Sequence, residues 1–168
     1  MAGTKSEDAI ALLKNDHRTV EKLFKDFEDA KGDSRKETLA RRICLELSVH
    51  TKIEEEIFYP ALEGKIDADQ LKEAYVEHDA AKLLMAEIEA GNGKSDDFFD
   101  AKVQVLSEQV EHHVKEEEEE LFPQVRKADI DLKALGAELE QRKKELLKEY
   151  RDSGVPEPEL QTMDEVSI

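Results

Sequence analysis

The segment His113-Val-Lys-Glu-Glu117 repeats an earlier one, His50-Thr-Lys-Ile-Glu54. In both, a glutamate stands four residues after a histidine, and a proline follows ten residues after it, at Pro60 and Pro123. At that spacing an imidazole and a carboxylate share one face of a helix, about one turn apart. Such a pair is a natural donor set for a borderline metal cation. Two isolated histidines, His17 and His78, extend the pattern. The stretch Asp16-His17 to Glu28 aligns without gaps on Glu77-His78 to Glu89. The offset is 61 residues between the lone histidines and 63 between the paired ones. Each half therefore reads as a helix hairpin with one lone histidine and one His–Glu pair, an internal duplication with pseudo-two-fold symmetry.

The elements that must position these residues are long helices. The first is expected from about Ser6 to Lys31. The second starts at the capping box Ser34-Arg-Lys-Glu37 and runs to about Leu62. The third follows the cap at Asp67 and reaches Ala90. The fourth begins after Ser95 and continues to about Lys127. Short connections favour an all-α, up-down-up-down four-helix bundle over residues 1–128. A fifth helix is expected over 129–151, docked on the bundle or on a partner through Leu135, Leu139 and Leu146. Residues 152–168, with Gly154, Pro156 and Pro158, are expected to form a disordered tail.

Apolar residues at spacings of 3 and 4 define the inward stripes. The first helix gives Ile10, Leu13, His17, Val20, Phe24, Phe27, and the second Leu39, Ile43, Leu47, His50, Glu54, Ile57, Ala61. The third gives Leu71, Ala74, His78, Ala81, Met85, Ile88, and the fourth Phe99, Val103, Leu106, Val110, His113, Glu117, Leu121. The four histidines lie near the middles of their helices, so an antiparallel bundle brings them to one level. A single core histidine is ordinary, and a buried glutamate is tolerable if neutral or paired with Lys or Arg. Six such residues at one level would instead leave several buried charges without partners. A cationic centre removes that cost.

The acidic runs Glu54–Glu56 and Glu116–Glu120 are read mostly as solvated face, because successive helical residues point about 100° apart. Glu120, one turn beyond Glu117, is an extra ligand candidate. His112 is expected at a helix seam or on the surface, and Cys44 in plain packing. Tyr59 and Tyr75 are either core or within reach of a ligand. Pro60 and Pro123 are expected to bend or end their helices.

Four imidazoles and two carboxylates suit two borderline cations rather than Ca²⁺ or Mg²⁺. Two histidines per metal with both glutamates bridging would leave open positions for chemistry. Iron is favoured because such a site can bind and reduce oxygen species; zinc or manganese fits the same ligands. The chain has 168 residues, net charge −17 and 40 % charged residues. That acidity disfavours nucleic acid and anionic membranes as partners. The single cysteine excludes an internal disulfide and a cysteine-rich zinc site. No apolar run reaches the roughly 20 residues of a membrane span, and no signal-peptide core is seen, so a cytoplasmic protein is expected.

A lone histidine, His-x-x-x-Glu, a second lone histidine and a second His-x-x-x-Glu, flanked by Glu-Glu-Ile-Phe-Tyr-Pro and Glu-Glu-Leu-Phe-Pro, resemble the hemerythrin-like HHE cation-binding domain. The resemblance covers about residues 6–127. It implies a four-helix bundle with a bridged di-iron centre held by His17, His50, Glu54, His78, His113 and Glu117. Oxygen-carrying hemerythrins use a fifth histidine, in a His-x-x-x-His pair on the third helix. This chain has Ala74 and Lys82 four residues before and after His78. They also place an Asp on the fourth helix, where this chain has Glu117. The resemblance thus implies reaction with, or sensing of, O₂, H₂O₂ or NO rather than reversible oxygen carriage, with catalase-like peroxide dismutation as a testable activity. The alternatives are a non-enzymatic iron- or oxygen-responsive regulator and a structural metal-binding bundle.

Overall fold

A computed structural model describes residues 7–163. The helices are α1 (Ala9–Asp29), α2 (Asp33–Ile53), α3 (Tyr59–Leu62), α4 (Ala68–Ala90), α5 (Phe99–Glu116), α6 (Phe122–Lys127) and α7 (Leu132–Ser153). Two π turns, Glu54–Phe58 and Glu117–Leu121, splice α2 to α3 and α5 to α6. The result is four rods in an all-α bundle, with α7 packed on α1 and α2. Among the described residues, no helix is long and apolar enough to cross a membrane.

Side-chain caps set several of the starts. Asp8 accepts from the Ala11 N–H at 2.8 Å, and Asp67 from the N–H groups of Asp69 and Gln70 at 3.0 Å. Each satisfies donors that the first helical turn leaves free. Ser6, the expected start of the first helix, lies outside the described residues. The expected capping box at Ser34 does not form. Gly32 occupies the cap with φ +89°, a left-handed conformation that lets the chain reverse tightly, so Ser34 is already inside α2. Its carbonyl accepts from the Thr38 hydroxyl, and Glu37 accepts instead from the Gly93 N–H at 3.1 Å.

The core is two apolar clusters with a polar belt between them. One gathers Val20, Phe27, Ile43, Leu47, Met85, Phe99 and Leu106 with their neighbours. The other gathers Leu13, Ile53, Phe58, Tyr59, Leu62, Phe122 and Val125, together with Leu135, Leu139 and Leu146 of α7. Buried Asp16, His17, His50, Glu54, His78 and Glu117, with partly buried His113, form the belt.

The π turns change which residues face inward. The stripe expected after Glu54 was Ile57 and Ala61, but Phe58, Tyr59 and Leu62 are the fully buried residues. In the first π turn the Tyr59 N–H bonds to the Glu54 carbonyl, five residues back, and Phe122 does the same to Glu117 in the second. One extra residue per turn rotates everything beyond it around the helix axis. Pro60 and Pro123 supply the reason: neither has an N–H for the carbonyl four residues back, and the ring would collide with that carbonyl. Widening the turn relieves the collision, so both helices continue beyond their prolines instead of ending there.

Helix α7 approaches α1 closely at Gly136, where a Cβ would sit 2.3 Å from the Glu7 carbonyl oxygen. Beyond α7 the chain differs from the disordered tail expected from 152. Residues 154–163 follow a defined course along α2 and α4; 164–168 lie outside the described residues. The buried Asp79 carboxylate accepts from the N–H groups of Gln161, Thr162 and Met163 and from the Thr162 hydroxyl. Lys82 donates to the Glu159 carbonyl at 2.7 Å. A polar composition left this segment no core of its own, but α4 supplies partners for its backbone.

Candidate metal centre

The belt brings all six expected residues together. His17 and His50 meet at ring centroids 5.0 Å apart, and His78 and His113 at 4.9 Å. Glu54 Oε1 lies 2.9 Å from His50 Nε2 and 3.3 Å from His78 Nε2. Glu117 places Oε1 3.1 Å from His17 Nε2 and Oε2 3.2 Å from His113 Nε2. Each carboxylate thus touches one histidine of each pair, the position a bridging ligand needs. Two compact groups result, His17–His50–Glu117 and Glu54–His78–His113, each able to hold one ion.

The orientation of the rings comes from a shell of carboxylates. His50 Nδ1–H donates to Asp16 at 2.9 Å, His113 Nδ1–H to Glu77 at 2.9 Å, His78 Nδ1–H to Glu55 at 2.7 Å and His17 Nδ1–H to Glu118 at 2.7 Å. With Nδ1 so engaged, every imidazole presents Nε2 to the centre, the arrangement that fixes tautomer and basicity in metal-binding histidines. The shell obeys the duplication: Asp16 and Glu77 precede the lone histidines, and Glu55 and Glu118 follow the paired glutamates. Lys143, Lys82 and Arg18 in turn pair with Asp16, Glu55 and Glu118.

The donor chemistry fits a cation. Among the described residues, Nε2 of His17 and His50, both oxygens of Glu54 and Oε1 of Glu117 are buried with no hydrogen-bond partner. Orphaned polar atoms on this scale are costly in a core unless something charged satisfies them. In the protein alone, protons do part of that work. Burial would push the His113 imidazole down, but Glu117 and Glu77 hold it up at about 10. His50 is likewise raised, because Glu54 and Asp16 outweigh its burial. Burial would push the Glu117 carboxyl up, yet His113 and His17 hold it well below the usual carboxylate range.

Residues 8–125 match the hemerythrin HHE cation binding domain. The chain belongs to that family. The crystal structure of a hemerythrin HHE cation binding domain-containing protein from Mycobacterium kansasii superposes with a TM-score of 0.72. It covers 88 % of this chain and 94 % of that one at 24 % identity, a likeness of fold. A DNA nickase from Nostoc is 28 % identical over 115 residues, 68 % of this chain. The chain spans about a third (32 %) of the length of that curated relative.

Within this HHE domain one aromatic difference between the two halves falls against the cluster. Tyr59 follows Glu54 by five residues, as Phe122 follows Glu117. The Tyr59 hydroxyl donates to Glu117 Oε2 at 2.7 Å and lies 3.2 and 3.4 Å from Nε2 of His78 and His113. Phe122 stacks flat against His17, with centroids 6.1 Å apart. Burial, with the charges of Glu117 and Glu54, pushes the Tyr59 phenol well above its ordinary value, so it stays a neutral donor. Glu120 is exposed and outside the cluster, His112 is on the surface, and Cys44 is packed in the core. Of the four shell carboxylates, Glu55 and Glu118 are corrections to the solvated-face expectation. They belong to the acidic runs, but the neighbouring helix presents an imidazole to each.

On the side away from Glu54 and Glu117, the four imidazoles floor a small cavity of about 40 Å³. Its walls are Val20, Leu47, Ala81, Met85 and Val110, with Gln109 as a polar side chain among them. Gln109 Oε1 is buried there without a partner among the described residues.

Proposed function

We propose that this protein holds two iron ions in the six-residue cluster and uses them to react with, or sense, O₂, H₂O₂ or NO. His17 and His50 would hold one ion and His78 and His113 the other, with Glu54 and Glu117 shared between them. The single observation that supports this best is the convergence of buried, unpartnered Nε2 and carboxylate atoms beneath a cavity sized for a few atoms. Bound iron would supply cycling between ferrous and ferric states, which peroxide dismutation to O₂ and water requires.

The chain's own residues do the rest. Asp16, Glu55, Glu77 and Glu118 hold the imidazoles in one tautomer. Apolar walls exclude bulk water and large solutes, and Gln109 offers a hydrogen bond to a small ligand. Tyr59 keeps a proton at Glu117. Reversible oxygen carriage is not favoured: the positions four residues before and after His78 are Ala74 and Lys82, neither a histidine, and the Lys82 Nζ is committed to Glu55 at 2.7 Å. A cytoplasmic location fits this chemistry, and the acidic surface speaks against nucleic acid as a partner.

A second, regulatory reading is favoured by one contact chain. The Glu159 carbonyl, Lys82, Glu55 and His78 are linked in sequence, connecting the C-terminal segment to the centre. Metal occupancy would then be felt by that segment.

Metal content per chain by plasma mass spectrometry tests both readings, on protein produced with iron supplied. Two irons per chain are expected, with strong loss in His50→Ala and Glu54→Ala while helical circular dichroism is kept. One zinc per chain, or unchanged content in the variants, would sink the redox proposal. Peroxide turnover then favours the enzyme, and metal-dependent protection of 154–163 without turnover favours the regulator.

A further inference from the structure

Among the described residues, three of the four shell carboxylates pair with a lysine or arginine, and Glu77 does not. Its Oε1 accepts from His113 at 2.9 Å, and its Oε2 faces His112 Nε2 at 3.6 Å. His112, 65 % exposed on its side chain, also lies 3.1 Å from Glu116 Oε1. These three side chains bring one donor atom each close enough to share a single ion. One imidazole and two carboxylates at the surface form a weak site for a first-row divalent cation.

What lies beneath the triad gives it a direction. Between α4 and α5 is a cleft of about 20 Å³, the space of roughly one ion or water. Glu73, Glu77, Glu116 and Glu120 line its mouth, and His113 and Glu117 line its depth. Among the described residues, no lysine or arginine lines it. Glu117 is 2 % exposed, and its Oε1 has no hydrogen-bond partner. The cleft therefore runs from exposed carboxylates to a buried one that is only half satisfied, its Oε2 accepting from Tyr59 and its Oε1 lacking a hydrogen-bond partner. Glu77 belongs to both ends, since it faces His112 outside and His113 within.

We propose that His112, Glu77 and Glu116 form a loading site, where a divalent cation docks before passing down the α4–α5 cleft to the buried cluster. This rests on the metal-centre reading above. The acidic mouth concentrates cations by electrostatic focusing, and the mixed nitrogen and oxygen donors replace water in stages. Glu77 releases the ion toward His113 because the same carboxylate serves both. The other approaches carry a cation next to the shell: Lys143 at Asp16, Lys82 at Glu55 and Arg18 at Glu118.

The test uses the full chain stripped of metal and mixed anaerobically with Co²⁺ in a stopped-flow spectrometer. The double variant His112→Ala/Glu116→Gln is compared with wild type and with Glu140→Gln, an acidic-to-neutral control on α7. Loading of the double variant should be about tenfold slower and less dependent on ionic strength, with final stoichiometry unchanged. Mn²⁺ added to fully loaded protein should bind weakly to wild type, seen by paramagnetic resonance, and not to the double variant. Equal loading rates, with Mn²⁺ binding unaffected, would overturn the loading site while leaving the buried centre intact. Failure of wild type to take up metal in the buried cluster would overturn the centre itself, and the loading site with it.

Discussion

At the residue scale, the four inner imidazoles are held in place by four carboxylates that touch only their backs. Asp16 is the most buried anchor outside the cluster that also carries a cation from α7, and His50 and Lys143 keep its carboxyl below the ordinary value although burial opposes them. Asp16→Ala should leave the fold intact but free the His50 ring, weakening metal affinity by roughly 10–100-fold. Competition with a chromogenic chelator measures this, with exposed Glu119→Ala as the control expected to show no change. Equal affinities would mean that His50 needs no second contact. The six inner residues were legible because duplication put the same residue types on the same stripe twice. Their anchors were not. Glu55 and Glu118 sit in acidic runs where stripe geometry assigns neighbours to solvent, and which one meets an imidazole depends on how the next helix packs. Asp16 and Glu77 did carry a signal, as acidic residues at equivalent positions before the lone histidines, but adjacency on a helix means pointing elsewhere. Each anchors a histidine of the other helix in its hairpin.

At the element scale, four helices, their order and most of their inward faces follow from periodicity. All six stripe residues expected on α4 are buried. Where the register fails, it fails at the π turns, because a 3.6-residue period cannot represent one inserted residue. Glu-to-Pro spacing of six residues in both halves was the available clue, since a ring so close behind an inward carboxylate must be accommodated by a wider turn. The C-terminal segment failed for a different reason: its order is lent by Asp79. Burial would push that carboxyl up, but the N–H groups of Gln161 and Thr162 and the charge of Lys82 hold it below its ordinary value. A depressed carboxyl contributes stability above its unfolded value, near 4, and loses it as pH falls through the folded one. The segment should therefore stay docked at neutral pH and release only in acid. Asp79→Ala should release it at pH 7, at a cost of about 1–3 kcal/mol in docking. Limited proteolysis within 154–163, with helical signal unchanged, is the expected outcome; wild-type protection in the variant would show that Lys82 and packing suffice.

At the scale of the whole molecule, two apolar clusters are separated by a belt whose charges are balanced in two alternative ways. Without metal, His50 and His113 carry protons that answer Glu54 and Glu117. A raised imidazole contributes stability fully below its unfolded value of about 6.5. That contribution is lost as pH rises through the folded value, about 10 for His113. The metal-free protein is thus a protonated fold at neutral pH, and cations must displace those protons to reach Nε2. Loading should release about two protons per chain near pH 7, followed with an indicator dye in weak buffer. Metal affinity should fall as pH falls, because protons then compete better for the same atoms. Stability should move in step: at free metal 100-fold above the dissociation constant, one site adds about 2.7 kcal/mol. For a chain of this size that raises Tm by roughly 5–10 °C, and chelation should reverse it. Protein supplied with excess metal that melts no higher than the stripped protein, with no proton release, would mean the belt is balanced by its own protons and carries no metal between its two cores.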